Sequence, residues 1–184
     1  MNLPNKLTLL RVCLIPFFVV FAKMGGFGMQ LAAAAVYILA CVTDALDGHI
    51  ARSRGLITNF GKFMDPIADK LLVMSAMIVL AAQGRMPDWV CILMLGREFL
   101  VSGFRLVAVE NGVVIAAGPL GKLKTVFQMV STIALMLLVP VEGAPLLGEA
   151  GKTVAQVLMY IALALTVISG ADYIIRNREC IKDM

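Results

Sequence analysis

Six long apolar runs, at about residues 7–22, 29–51, 63–83, 87–109, 121–140 and 153–175, take up most of this chain. Each approaches the roughly 20 residues that a helix needs to cross a hydrocarbon core. The joints between them carry helix-stopping residues. Gly25-Gly26-Phe27-Gly28 parts the first two runs, and Gly84-Arg85-Met86-Pro87 parts the third and fourth. Glu142-Gly143-Ala144-Pro145 opens the loop before the sixth. Pro87 suits a first helical position, where its missing N–H leaves no bond unmade. The pattern predicts six transmembrane helices in one all-α domain over residues 1–184, with no soluble module. The first run follows Lys6 and Arg11, as a secretory signal would. It closes on Phe21-Ala22-Lys23 without a small-x-small cleavage pattern, so it reads as a retained span.

Composition strengthens this picture. At 60% hydrophobic residues and a mean hydropathy of +0.91, the chain lies above soluble domains, which run nearer half apolar. The net charge of +4 does not point to nucleic acid, because the basic residues sit between apolar spans and form no dense patch. Their distribution reports topology instead. Of sixteen Lys and Arg, only Lys23, Arg85 and Lys152 fall on one side. The remaining thirteen gather on or near the side of the termini, the 52–62 hairpin and the 110–124 loop, which the positive-inside rule makes cytoplasmic. The four cysteines, Cys13, Cys41, Cys91 and Cys180, show no C-x-x-C spacing and imply no disulfide framework. Trp89 fits an ordinary aromatic belt at the opposite interface.

Against this apolar background four aspartates stand out: Asp44, Asp47, Asp65 and Asp69. The first two are three apart and the last two four apart, so each pair shares a helix face. A helical hairpin turning near Leu56 would bring Asp44 level with Asp69, and Asp47 level with Asp65. Carboxylates at a bilayer boundary are costly and mark function, and four together repel unless cations bind between them. Oxygen-only ligands suit hard divalent cations, Mg²⁺ or Mn²⁺. Two such ions could neutralise charge during displacement at phosphorus. Gly48 and Gly61 leave room for a diphosphate, Ala51 keeps the same face open, and Arg52 offers a fork for phosphate oxygens.

Written out, the stretch is Asp44-x-x-Asp47-Gly48-x-x-Ala51-Arg52, eight residues, then Gly61-x-x-x-Asp65-x-x-x-Asp69. It resembles the signature of the CDP-alcohol phosphotransferase family at every defined position. The opening Pro4-Asn5, Thr8 and Arg11 is similar to the phosphatidylglycerophosphate synthase branch. So is the block Gly96-Arg97-Glu98 through Ser102-Gly103 and Arg105, with Gly121-Lys122, Lys124-Thr125 and Gln128 beyond it.

The resemblance implies six transmembrane helices around a cytoplasm-facing polar cavity, a homodimer, and a place in the bacterial cytoplasmic (inner) membrane. It implies CDP-diacylglycerol as donor, sn-glycerol 3-phosphate as acceptor, and two Mg²⁺ or Mn²⁺ ions. Asp44, Asp47 and Asp65 would be metal ligands. Asp69 would be the catalytic base, also approaching the second ion. Asn5, Thr8, Gly48, Ala51, Arg52 and Gly61 would border the CDP moiety. The acceptor's phosphate needs further cations, for which Arg105 and Lys124 are the leading candidates, followed by Arg97, Lys122 and Arg176. Glu98 could instead neutralise one of the arginines, and Asp172 could simply pair with Arg176. Other acceptors (inositol phosphate, serine, phosphatidylglycerol) fit the same signature. A divalent-cation transporter would fit the acidic cluster, but the acids lie toward one end of their spans, with none in the opposite halves.

Overall fold

The computed structural model describes residues 3–53, 59–110, 115, 118–141 and 147–177. Side chains are described for these except residues 3, 4, 45, 47–53, 59, 60, 62 and 110. Six helices follow one another: α1 (Leu3–Lys23), α2 (Phe27–Ser53), α3 (Asn59–Ala82), α4 (Asp88–Glu110), α5 (Pro119–Leu138) and α6 (Gly148–Arg176). Among the described residues there is no strand. The predicted turn near Leu56 lies outside the described residues.

Four of these helices, α1, α2, α5 and α6, are long and apolar enough to cross a membrane by length and composition. In α3 and α4 the apolar stretch is broken by charge: Asp65, Asp69 and Lys70 in one, Arg97, Glu98 and Arg105 in the other. Their burial pattern explains why those charges are tolerated. Large apolar side chains such as Phe17, Leu39, Ile92, Phe99, Leu106 and Ile168 lie on the outside, whereas Arg11, Lys124, Gln128, Thr132 and Thr166 are buried. This reverses the soluble-protein rule and suits a bundle whose solvent is lipid, with polar groups turned toward the helix interfaces.

The joints follow their residue types. Gly25 and Gly26, at φ 68° and 78°, take the left-handed conformations that reverse the chain between α1 and α2. One boundary differs from expectation. α4 begins at Asp88, and the Pro87 carbonyl accepts from the Val90 and Cys91 N–H groups at 3.0 and 3.2 Å, so Pro87 caps the helix from outside its first turn.

Helix α1 packs on α2 and α3, α5 packs on α6 and α2, and α4 lies against α6 and α3. Ala33, Ala34, Ala40, Ala76, Ala155 and Ala162 line the buried contacts, where small side chains let backbones approach closely. Phe18, Tyr37, Leu72, Met77, Leu80, Met94 and Leu135 fill the space between them. That core holds the C-terminal half of α3, through Leu72, Ala76, Met77 and Leu80, and the polar residues gather beyond it in the N-terminal half.

Candidate active site

Helix α1 braces the aspartates. Thr8 and Arg11 are three apart and so share a face, and both are buried. The Thr8 hydroxyl donates to Asp65 Oδ1 at 2.6 Å. Arg11 Nη1 lies 2.5 Å from Asp44 Oδ1. One turn of α1 therefore holds one carboxylate from α2 and one from α3. Asn5, a turn earlier, is buried, as is Gly61 near the start of α3.

Asp69 completes the described set. Asp44, Arg11, Lys124 and Lys70 all act electrostatically on it, so Asp44 lies within electrostatic reach of Asp69 at one end of the bundle. Asp47, Gly48, Ala51 and Arg52 fall within α2, but their side chains lie outside the described residues. Among the described residues no three acidic groups form a metal-sized cluster. The donor set of Asp44, Asp65 and Asp69 is all carboxylate oxygen, and a fourth acid, Asp47, stands one turn past Asp44 on α2. That chemistry fits a hard divalent cation.

On the other side of Asp69 a cavity of about 250 Å³ opens between α3, α4, the start of α5 and α6. Its charged walls are Asp69, Lys70, Arg97, Glu98, Arg105 and Asp172, with hydroxyls from Ser102, Thr125 and Ser169. At this size it suits a small polar molecule; drug-sized ligands occupy roughly 300–1,000 Å³. Lys70 donates to Ser102 Oγ at 2.5 Å, and Ser102 in turn donates to the Glu98 carbonyl at 2.6 Å. Arg97 is half-buried, with Nη2 on Ser169 Oγ at 3.0 Å and Nη1 3.3 Å from Glu98 Oε1. Gly170 makes room for it: a Cβ there would lie 3.0 Å from Arg97 Cγ. Arg105 is exposed, with its guanidinium 5.8 Å over the Tyr173 ring.

The five basic residues expected at an acceptor phosphate thus separate. Arg97 and Arg105 line the cavity. Lys124 does not; it is buried and paired with Glu98. Lys122 is exposed and off the cavity wall. Arg176 turns back on Asp172 at 2.7 Å and also stays off the wall. Two residues were given no site role from the sequence: Arg11, named only within the opening motif, and Lys70. Arg11 could have been found from its spacing to Thr8. Lys70 could have been found from Pro66, Asp69 and Lys70 falling at i, i+3 and i+4, which puts all three on one face.

Residues 1–168 match the CDP-alcohol phosphatidyltransferase family. The chain belongs to this family. A Bacillus subtilis protein named CDP-diacylglycerol–glycerol-3-phosphate 3-phosphatidyltransferase is 40% identical, over 98% of this chain and 97% of its own length. A Rickettsia typhi protein of the same name is 38% identical, with 94% of each chain covered. A Mycobacterium tuberculosis protein titled "Probable phosphatidylglycerophosphate synthase" is 44% identical, over 95% of this chain and 81% of its own length. The family match spans all four motif aspartates, α1 with Thr8 and Arg11, and most of the cavity wall. The chain is accordingly a phosphatidyl-transferring membrane enzyme.

Proposed function

We propose that the chain transfers the phosphatidyl group of CDP-diacylglycerol to the free primary hydroxyl of sn-glycerol 3-phosphate, giving phosphatidylglycerophosphate and CMP. The observation that carries this reading is the position of Asp69, in the wall of a small cavity whose other charges include Lys70, Arg97 and Arg105. A carboxylate beside a cationic pocket is what a phosphate-bearing alcohol requires: a proton acceptor at one end and anion recognition at the other. The names of the relatives supply the donor and acceptor classes.

In this reading Asp69 accepts the proton of the attacking hydroxyl. The hydroxyl oxygen bonds to the lipid-side phosphorus, the bond from that phosphorus to the bridging oxygen breaks, and CMP leaves with the bonding pair. Arg97 and Arg105 hold the acceptor's own phosphate, and Lys70, fixed by Ser102, stands between that phosphate and Asp69. Arg11 and Thr8 hold Asp44 and Asp65 in place. Asn5, Thr8, Gly48, Ala51, Arg52 and Gly61 border the CDP moiety. Asp44, Asp47, Asp65 and Asp69 would hold Mg²⁺ or Mn²⁺, which when bound offsets the diphosphate charge and makes the hydroxyl more acidic. The active form is a homodimer in the bacterial cytoplasmic membrane, with this end of the bundle facing the cytoplasm. The gathering of basic residues on that side supports the orientation.

The test is incorporation of radiolabelled glycerol 3-phosphate into lipid by the purified full-length protein with CDP-diacylglycerol. Label should enter the lipid in Mg²⁺, stop on chelation, and return with Mg²⁺ or Mn²⁺. Serine, inositol phosphate and phosphatidylglycerol should not replace the acceptor. Labelling from one of these and not from glycerol 3-phosphate would overturn the assignment, and full turnover after thorough chelation would remove the metal from it.

A further inference from the structure

The end of the bundle remote from Asp69 holds a buried charge that the transfer reaction does not use. From Asp69 to its last residue, Ala82, α3 climbs roughly 20 Å at 1.5 Å per residue. There Gly84, at φ 69°, closes the helix with a Schellman turn. The Arg85 N–H donates to the Leu80 carbonyl and the Gly84 N–H to the Ala81 carbonyl, both at 2.9 Å. The turn pins the backbone of Arg85, and its side chain is buried at 8% exposure. Nη2 donates to Gln30 Oε1 on α2 at 2.8 Å.

Neither partner is satisfied by that contact. Arg85 Nε and Gln30 Nε2 are buried donors with no acceptor among the described residues. Among those residues no carboxylate comes within ion-pair distance of Arg85. Burial alone pushes its guanidinium down to about 10, so it keeps its charge at neutral pH. A purely structural role, tying the loop to α2 through Gln30, would use one of five N–H donors and leave a buried cation without a counter-charge among the described residues. A neutral side chain would make the same tie.

Space for a ligand adjoins these donors. A small gap bordered by Arg85, Gln30, Phe18, Leu80 and Met136 runs beside an open cavity of about 550 Å³, which reaches Lys23, Gln30 and Gln83. Gln83 is already committed, donating to the Ala22 carbonyl at 2.6 Å. Of the cavity's lining residues Lys23 is cationic and Gln30 Nε2 is a donor without an acceptor among the described residues, while Ala22, Val79 and Val141 are apolar. An anion carrying an apolar body would satisfy both.

We propose that Arg85 and Gln30 form a second anion site, remote from the aspartates, that binds a phosphate group while Lys23 stands at the mouth of the cavity. The guanidinium offers phosphate the charge-assisted, forked recognition it favours. A lipid phosphodiester and free phosphate share this chemistry, and the apolar walls add to the hold only on the lipid.

Binding is measured on the full-length protein in a neutral detergent, with dihexanoyl phosphatidylglycerol in one arm and inorganic phosphate in the other. Saturable binding of the lipid alone assigns the site to a headgroup, and comparable binding of both shows that the phosphate group suffices. In either arm Arg85→Gln should raise Kd about tenfold or more, the loss expected for a charge-assisted hydrogen bond. Asp69→Asn should leave Kd unchanged, which separates this site from the aspartate end. Arg85→Lys, which keeps the charge, and Gln30→Ala, which keeps the guanidinium, should each weaken binding about two- to tenfold. They carry the test if Arg85→Gln does not fold. No saturable binding by the wild type, or a Kd indifferent to these substitutions, overturns the proposal.

Discussion

Lys124→Met removes an ammonium whose side chain is 3% exposed and paired with Glu98, while keeping most of its unbranched stem. Deleting one partner of a buried pair costs about 3–5 kcal/mol, because the other charge is left behind. The value here belongs at the low end, about 3 kcal/mol, since Glu98 is 18% exposed and retains Arg97 at 3.3 Å. For a chain of this length each 1 kcal/mol moves Tm by about 2–4 °C, so thermal unfolding should come roughly 6–12 °C early. The double variant Lys124→Met/Glu98→Gln should recover part of that loss, since it also removes the charge left behind. Kinetics complete the test. Lys124 stands off the cavity wall, so KM for glycerol 3-phosphate should move less in Lys124→Met than in Arg105→Ala. The reasoning fails if Lys124→Met melts with the wild type yet raises that KM tenfold, for Lys124 would then be a pocket cation and no brace.

Two further outcomes follow from the same wall. Arg105→Ala, an exposed residue resting on Tyr173, should leave Tm nearly unchanged and raise KM for glycerol 3-phosphate about tenfold to a hundredfold; an unchanged KM removes Arg105 from the pocket. Asp69→Asn should lower kcat by about 10²–10⁴ while CDP-diacylglycerol still binds, and turnover within about tenfold of wild type would mean another group takes the proton.

The six helices were legible in the sequence because two simple signals coincide, long apolar runs and glycine or proline at the joints. That Asp44 and Asp69 lie at the same end of the bundle, within electrostatic reach, was legible because each sits toward the end of its own apolar run that adjoins residues 52–62. The sorting of the cations was not. Arg97, Arg105, Lys122, Lys124 and Arg176 all read alike as charge near one membrane face, and a charge count does not say which of them an acid has already taken. Glu98 decides it by claiming Lys124, and Asp172 by claiming Arg176.

What the chain does reveal about facing is carried by its polar residues. In a soluble helix the apolar stripe marks the core, but a span in lipid is apolar all round, so that stripe loses its meaning. The polar positions take over. On α5, Lys124, Gln128, Ser131 and Thr132 recur at i, i+4, i+7 and i+8, and all four are buried. Lys122 lies off that stripe and is exposed. On α6, Thr166, Ser169 and Tyr173 trace the same kind of line, and all are buried, with Ser169 and Tyr173 at the cavity. On α1, Thr8 and Arg11 fall one turn apart on the aspartate side. Each polar side chain in lipid must find a partner, so stripes of them trace the helix interfaces. Where two stripes converge with donors left over they leave a cavity: Arg97 reaches Ser169 at 3.0 Å, yet its Nε stays without a partner among the described residues, beside Asp69. Arg85 lies on no such stripe. It is held inward by the Gly84 turn, which is why its burial shows in the fold and not in the pattern of the sequence.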